Sequence, residues 1–235
     1  HIALMRVPDS GDRPHFAKKG NDALRVPFRN GPHTGFMTER QIERLYRERY
    51  NLATARLEDV QRLYDDAAQG LDPSSGVCCV VVGLPREPKW HEGGRMEQAV
   101  AHNVIGAVAW SYYLDGAVSL STSDGEYVRG LRQWVARDRG SRPFRRTIRE
   151  DGAVTNVRRL GGWEGNASHA RRYPVNNPNQ CMSAHIEETI VEGVEMVHRA
   201  ASHLNVQGGY TVRVGLVGPK GQPLRIRTID SSGYP

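Results

Sequence analysis

The chain has 235 residues, 38% hydrophobic and 25% charged, with 32 Lys and Arg against 26 Asp and Glu. This composition supports a packed core in one large or two small domains and excludes an intrinsically disordered chain. No apolar run approaches the roughly 18 residues of a membrane-spanning helix, and three cysteines, two of them adjacent at Cys78-Cys79, make no disulfide framework, so buried thiols in a reducing, cytoplasmic compartment are expected.

Residues 2–7 read as a buried strand. A chain that opens on a strand, with no initiator Met, reads as lacking upstream sequence, the alternative being that processing removed a few residues. A turn cluster at 8–12 leads to short strands at 15–19 and 23–28, the second alternating Leu24, Val26 and Phe28 with Arg25, Pro27 and Arg29. Residues 29–33 form a loop. Thr38 opens a helix, with Gln41 three residues on in a capping-box pattern, and Ile42, Leu45, Tyr46 and Tyr50 on one face. A second helix follows with the stripe Leu57, Val60, Leu63, Tyr64, Ala67 and Leu71, ending at the breaker 72–76. This predicts two parts, residues 1–72 and 76–235.

The second part opens with a strand at 76–84, apolar enough to be buried on both faces. A helix is predicted over 95–113, with Met96, Val100, Val104 and Val108 in register, then strands at 117–121 and 130–136. Residues 145–160 read as a hairpin turning on Asp151-Gly152, a favoured two-residue turn. Residues 161–179 are rich in Gly, Asn and Pro and read as irregular. The clearest helix is 183–204, with Ile186, Ile190, Val194, Val197, Ala201 and Leu204 as its apolar stripe and Glu187, Glu188, Glu192 and Glu195 on the solvated side. Strands at 210–217 and 224–229 close the chain. The order predicts an α+β fold with a helix-backed, mostly antiparallel mixed sheet.

The motifs of nucleotide and metal chemistry are missing. There is neither a Gly-x-x-x-x-Gly-Lys-Ser/Thr loop nor a Gly-x-Gly-x-x-Gly fingerprint. His198 and His203, five apart, do not share a helical face, and Cys181 near His185 is the single local Cys/His neighbour. No catalytic residue, metal or cofactor is expected. Charge is more informative: residues 51–127 carry −6 and residues 128–180 carry +8. Arg137, Arg139, Arg142, Arg145, Arg146 and Arg149 fall in one short stretch beside Trp134 and Phe144. Arg can fork phosphate oxygens and aromatic faces can stack on bases, so the stretch is a candidate nucleic-acid surface; the alternative is a solvated surface paired with the acidic segment.

Three further pieces share an order and spacing with a known family: Ile2-Ala3-Leu4-Met5-Arg6-Val7-Pro8 followed by Arg13-Pro14-His15, then residues 23–31, then Met37-Thr38-Glu39-Arg40-Gln41-Ile42. Residues 1–50 resemble the C-terminal half of the Schlafen AlbA-type domain of bacterial regulatory proteins. The resemblance implies a small Alb-like β/α element linked to nucleic-acid binding, with Arg13, His15, Lys18, Arg25, Arg29 and His33 able to touch phosphate. It also implies that a nuclease's carboxylates would lie in the first half of such a domain, upstream of His1. The expectation is a nucleic-acid-binding protein, DNA or RNA, in a transcriptional or defence setting. A fragment of a nuclease or nucleotide-dependent enzyme and an oligomerisation module, with a homo-oligomer as partner state, are the alternatives. No membrane partner is expected.

Overall fold

The structure, a computed structural model, describes residues 13–19, 23–87, 95–106, 126–138, 144–162, 176–206 and 208–228. The strands expected at 2–7 and 117–121, and residues 107–113 of the expected helix, lie outside these. The chain divides into two compact units, His1–Glu58 and Asp59–Pro235, and the division falls inside the first helix, upstream of the breaker at 72–76.

The first unit is built from two short hairpins. Strands β1 (Ala17–Lys19) and β2 (Ala23–Arg25) pair antiparallel, with Lys18 opposite Leu24. Strands β3 (Pro27–Asn30) and β4 (His33–Phe36) pair with Arg29 opposite Thr34. The residues expected as a loop are therefore the hairpin's tip. Gly31 has a φ of 61° and stands at the first central position, as a type II′ turn requires, and Pro32 supplies the second. Helix α1 (Glu39–Ala68) starts in this unit. The Thr38 amide donates to Gln41 Oε1 at 2.8 Å and the Gln41 amide donates to Thr38 Oγ1 at 3.4 Å, so the capping box forms as expected. The two helices expected between residues 38 and 71 are one, because no Gly or Pro interrupts residues 39–68.

The second unit holds the core. Strands β5 (Cys78–Pro85), β6 (Glu126–Arg129), β7 (Gln133–Asp138), β8 (Phe144–Arg149), β9 (Val154–Arg159) and β11 (Tyr210–Val217) form one antiparallel sheet in the order β11-β5-β9-β8-β7-β6. Parallel pairing is confined to β10 (Gln180–Met182) with β12 (Arg225–Arg227). Helices α2 (Gln98–Ile105) and α3 (Ser183–Leu204) complete the described elements. The fold is α+β.

Helices cover both faces of the sheet. Val60, Leu63 and Ala67 of α1 pack with Val80, Val82 and Val157. On the other face, α2 and α3 enclose Trp134, Ala136, Phe144, Ile148 and Val154 with Met196 and Ala200, while Ile186 and Ile190 pack on Cys79 and Val81. Two-sided cover explains why β5 reads as a continuous apolar run rather than an alternating one. The buried face of α3 differs from the expected stripe. His185, Thr189, Glu192, Gly193, Met196, Ala200 and Leu204 are buried, whereas Val194 is exposed. Among the described residues, no helix is long and apolar enough to cross a membrane.

Candidate nucleic-acid interface

Alternation along β8 decides the fate of the Arg-rich stretch. Phe144, Arg146 and Ile148 point to the α2/α3 side, and Arg145, Thr147 and Arg149 to the α1 side. Arg146 was expected at the surface as a phosphate ligand. It is instead 1% exposed and lies 3.0 Å from the Glu192 carboxylate, which is also 1% exposed. Its guanidinium also donates to the Gly106 carbonyl at 3.3 Å and lies over the Phe144 ring. Burial pushes the Arg146 pKa below its ordinary value, and the adjacent Glu192 opposes that shift.

Glu192 in turn accepts from Arg158 at 2.9 Å, and Arg158 sits 3.5 Å from Glu188. Asn156, opposite Arg146 across the ladder, donates to the Thr189 carbonyl at 3.1 Å and to Glu192 at 3.4 Å. Two guanidiniums and two carboxylates thus form a neutral buried network joining β8 and β9 to α3. Glu188 and Glu192, expected on the solvated side of the helix, face the sheet.

The other described arginines of the stretch also have internal partners. Arg145 donates to the carbonyls of Ala67 and Gln69 at the end of α1. That helix has no basic residue in its last turn, so Arg145 supplies from the sheet the cation that a C-terminus favours. Arg137 pairs with Glu126 across the β6–β7 ladder at 3.0 Å, and Arg149 pairs with Asp151 at 2.7 Å. Both of these pairs are partly open to solvent. Arg139 and Arg142 lie outside the described residues. Trp134 and Phe144 are buried, with the Trp134 indole donating to the Met96 carbonyl, so neither is a stacking face.

The first unit is different. Arg13, His15, Lys18, Arg25, Arg29 and His33 are all exposed. Pro27, Arg29, Thr34 and Phe36 share one face of the β3–β4 hairpin, and Arg29 donates to Thr34 Oγ1 at 2.9 Å and to the Pro32 carbonyl at 3.2 Å. The Arg25 guanidinium lies 5.4 Å from the centre of the Phe36 ring. The hairpin face thus carries Arg29 and Phe36, and Arg25 of the neighbouring strand β2 lies over that ring.

The thiols and the metal-ligating side chains can be placed among the described residues. No group of three or more His, Cys, Asp or Glu side chains is placed to hold a metal there. Cys78, Cys79 and Cys181 are all unpaired and buried, and burial raises each thiol pKa, that of Cys78 to about 11 and that of Cys79 to about 12. A thiol held protonated is a poor nucleophile. No protein-family model, curated protein or solved structure matches the chain.

Proposed function

We propose that the chain binds the phosphate backbone of nucleic acid, DNA or RNA, through the exposed cationic face of its first unit, as a regulatory protein of the cytoplasm. The observation that carries this reading is the β3–β4 face, where Arg29 stands opposite Thr34 on the face that bears Phe36 and the Arg25 guanidinium of β2 lies over the Phe36 ring. Guanidiniums neutralise and fork phosphate oxygens, and an aromatic ring among them offers a base a surface to stack on. Lys18 extends the same unit's positive surface, and His33 is exposed in that unit as a hydrogen-bonding group. In the second unit, Arg137 and Arg149 are spanned by carboxylates and Arg146 is enclosed, which moves the reading from the Arg-rich stretch to the hairpins. Three unpaired thiols accord with a reducing compartment.

Fluorescence-anisotropy titration of a labelled oligonucleotide tests this. Four phosphate contacts predict a fall in affinity of about 100-fold between about 50 and about 200 mM salt. Arg25→Ala with Arg29→Ala should remove most binding at every sequence tried, and Arg137→Ala with Arg149→Ala should remove less. Affinity indifferent to salt, or an equal loss from both pairs of substitutions, would sink the proposal.

A further inference from the structure

Helix α1 carries an apolar seam that is exposed over residues 46–57. Tyr46, Tyr50, Ala53, Leu57, Val60, Tyr64 and Ala67 follow one another at alternating spacings of four and three residues, the repeat with which helices supercoil. Val60 and Ala67 are buried in the second unit and Tyr64 packs against their cluster. Tyr46, Tyr50 and Leu57, by contrast, are 46%, 72% and 64% exposed. Large apolar residues in a row at one helical spacing differ from the scattered exposed side chains of any surface.

The charges beside this seam are of one sign. Between Tyr46 and Leu57 the helix carries Arg47, Arg49 and Arg56, all at positions flanking the seam, and one acid, Glu48, on the opposite side. Arg47 pairs with Glu43 one turn earlier, with side chains 72% and 63% exposed. An ion pair so open to solvent is readily exchanged for a partner's carboxylate.

We propose that this part of α1 docks an acidic amphipathic helix of a partner protein, whose apolar residues lie along Tyr46, Tyr50, Ala53 and Leu57 and whose flanking carboxylates meet Arg47, Arg49 and Arg56. The flanks argue against the simpler occupants. A second copy of the same helix, packed antiparallel, would set Arg49 against Arg56, and flanking charges decide which coiled-coil partners pair. Nucleic acid would use the arginines and tyrosines but leaves Ala53 and Leu57 without a function. The seam of about three turns is short, which places the contact among transient interfaces.

The test uses the full chain and a fluorescein-labelled peptide of about three heptads, with Ile and Leu at the seam positions and Glu at both flanking positions. Anisotropy should report binding with a dissociation constant of roughly 10 µM. The same peptide with Lys for Glu should bind at least about tenfold more weakly. Tyr50→Glu with Leu57→Glu should abolish binding, while Leu52→Glu, an equally exposed change off the seam, should leave it unaltered. Circular dichroism and thermal melts confirm that each variant is folded, since all three side chains are exposed. Equal binding of the Glu and Lys peptides, or no binding of either, overturns the proposal. Displacement of the Glu peptide by a single-stranded oligonucleotide would assign the seam to nucleic acid instead. A dimer in sedimentation velocity that Tyr50→Glu with Leu57→Glu dissolves would assign it to a second copy. Either result also overturns the proposal. None of these readouts depends on the β3–β4 hairpin, so failure here and failure of nucleic-acid binding are separable.

Discussion

Arg146 and Glu192 are two residues that composition alone places on the surface, and both are enclosed in the second unit. In β8, Arg145, Arg146 and Arg149 look the same in sequence whether the strand is solvated on one face or covered on both. The discriminating signal lies elsewhere, in the helix across from it. The apolar residues of α3 define a stripe centred on Ile190 and Val194, but the sheet meets a neighbouring stripe that includes Thr189, Glu192 and Gly193. Periodicity counts apolar residues, so a face built partly from Gly and a buried carboxylate is invisible to it. Removing one member of such a network leaves the other charge unpaired in the interior. Glu192→Ala should therefore cost about 3–5 kcal/mol in urea denaturation, and the double change Glu192→Leu with Arg146→Met should cost less than the single one. The thiols make a second prediction at this scale. Burial, then the neighbouring Cys181 and Cys78 against the opposing Arg158, raises Cys79 from 9.0 to about 12. Thiols that ionise less readily when folded stabilise the fold fully below pH 9, and that contribution is lost as pH rises from there towards about 12. The denaturation midpoint should decline over that window, and Cys79→Ser should flatten part of the decline.

At the level of elements, α3 was legible to its ends, because a long apolar period between the Ser183 start and Asn205 dominates the local signal. Asn205 adopts a left-handed conformation, and its amide returns to the Ala201 carbonyl. The hairpin between β8 and β9 was legible in place but not in kind. The Gly152 amide donates to the Arg149 carbonyl and the Arg149 amide to the Ala153 carbonyl. The loop is thus the three residues Glu150, Asp151 and Gly152, a turn closed by Gly152 at a φ of 88°. The Asp151 carboxylate accepts from the Ala153 amide at 3.0 Å and from Arg149, which selects the longer loop over the two-residue one. Gly152→Ala should cost about 1–2 kcal/mol in a thermal melt, because a side chain there is strained. A second glycine tests packing rather than backbone. A Cβ on Gly193 would stand 2.5 Å from Val81 Cγ1, and one on Gly83 would stand 2.5 Å from Val197 Cγ2, so α3 and β5 meet through two reciprocal notches. Ala is the better helix former by about 1 kcal/mol, yet Gly193→Ala should destabilise by about 1–3 kcal/mol, since overpacking outweighs propensity at this spacing.

Across the whole molecule, the core is distributed unevenly. Among the described residues of His1–Glu58, Pro14 and Val26 are the two buried apolar side chains, whereas the second unit has helices packed on both faces of a six-stranded sheet. Opening free energies follow buried contacts. Amide hydrogen exchange should be slowest in β5, β9 and β8 and faster by orders of magnitude in β1 to β4. Comparable protection in the two sets of strands would contradict this distribution. The partition between a stable scaffold and an open, cationic unit was only partly legible. Charge by segment pointed to residues 128–180, where cations are most concentrated, but concentration does not reveal which of them the fold itself consumes.

The strand order has a kinetic consequence. Strands β6 to β9 follow one another as neighbours and need only local loops to meet. Strand β5, second from the edge, pairs with β9 and β11, so that Val81 lies beside Asn156 and Val214, both far along the chain. Closing such distances comes before any reward from pairing, and domains dominated by distant contacts assemble slowly. The meander of β6 to β9 is thus the natural nucleus, and β5, which pairs with β9 on one edge, still needs β11 on the other. Until Tyr210–Val217 docks, Cys78–Pro85 is an uncharged apolar strand paired with β9 alone and open along its other edge. Ribosome release or truncation before residue 210 would leave that strand as an aggregation-prone edge.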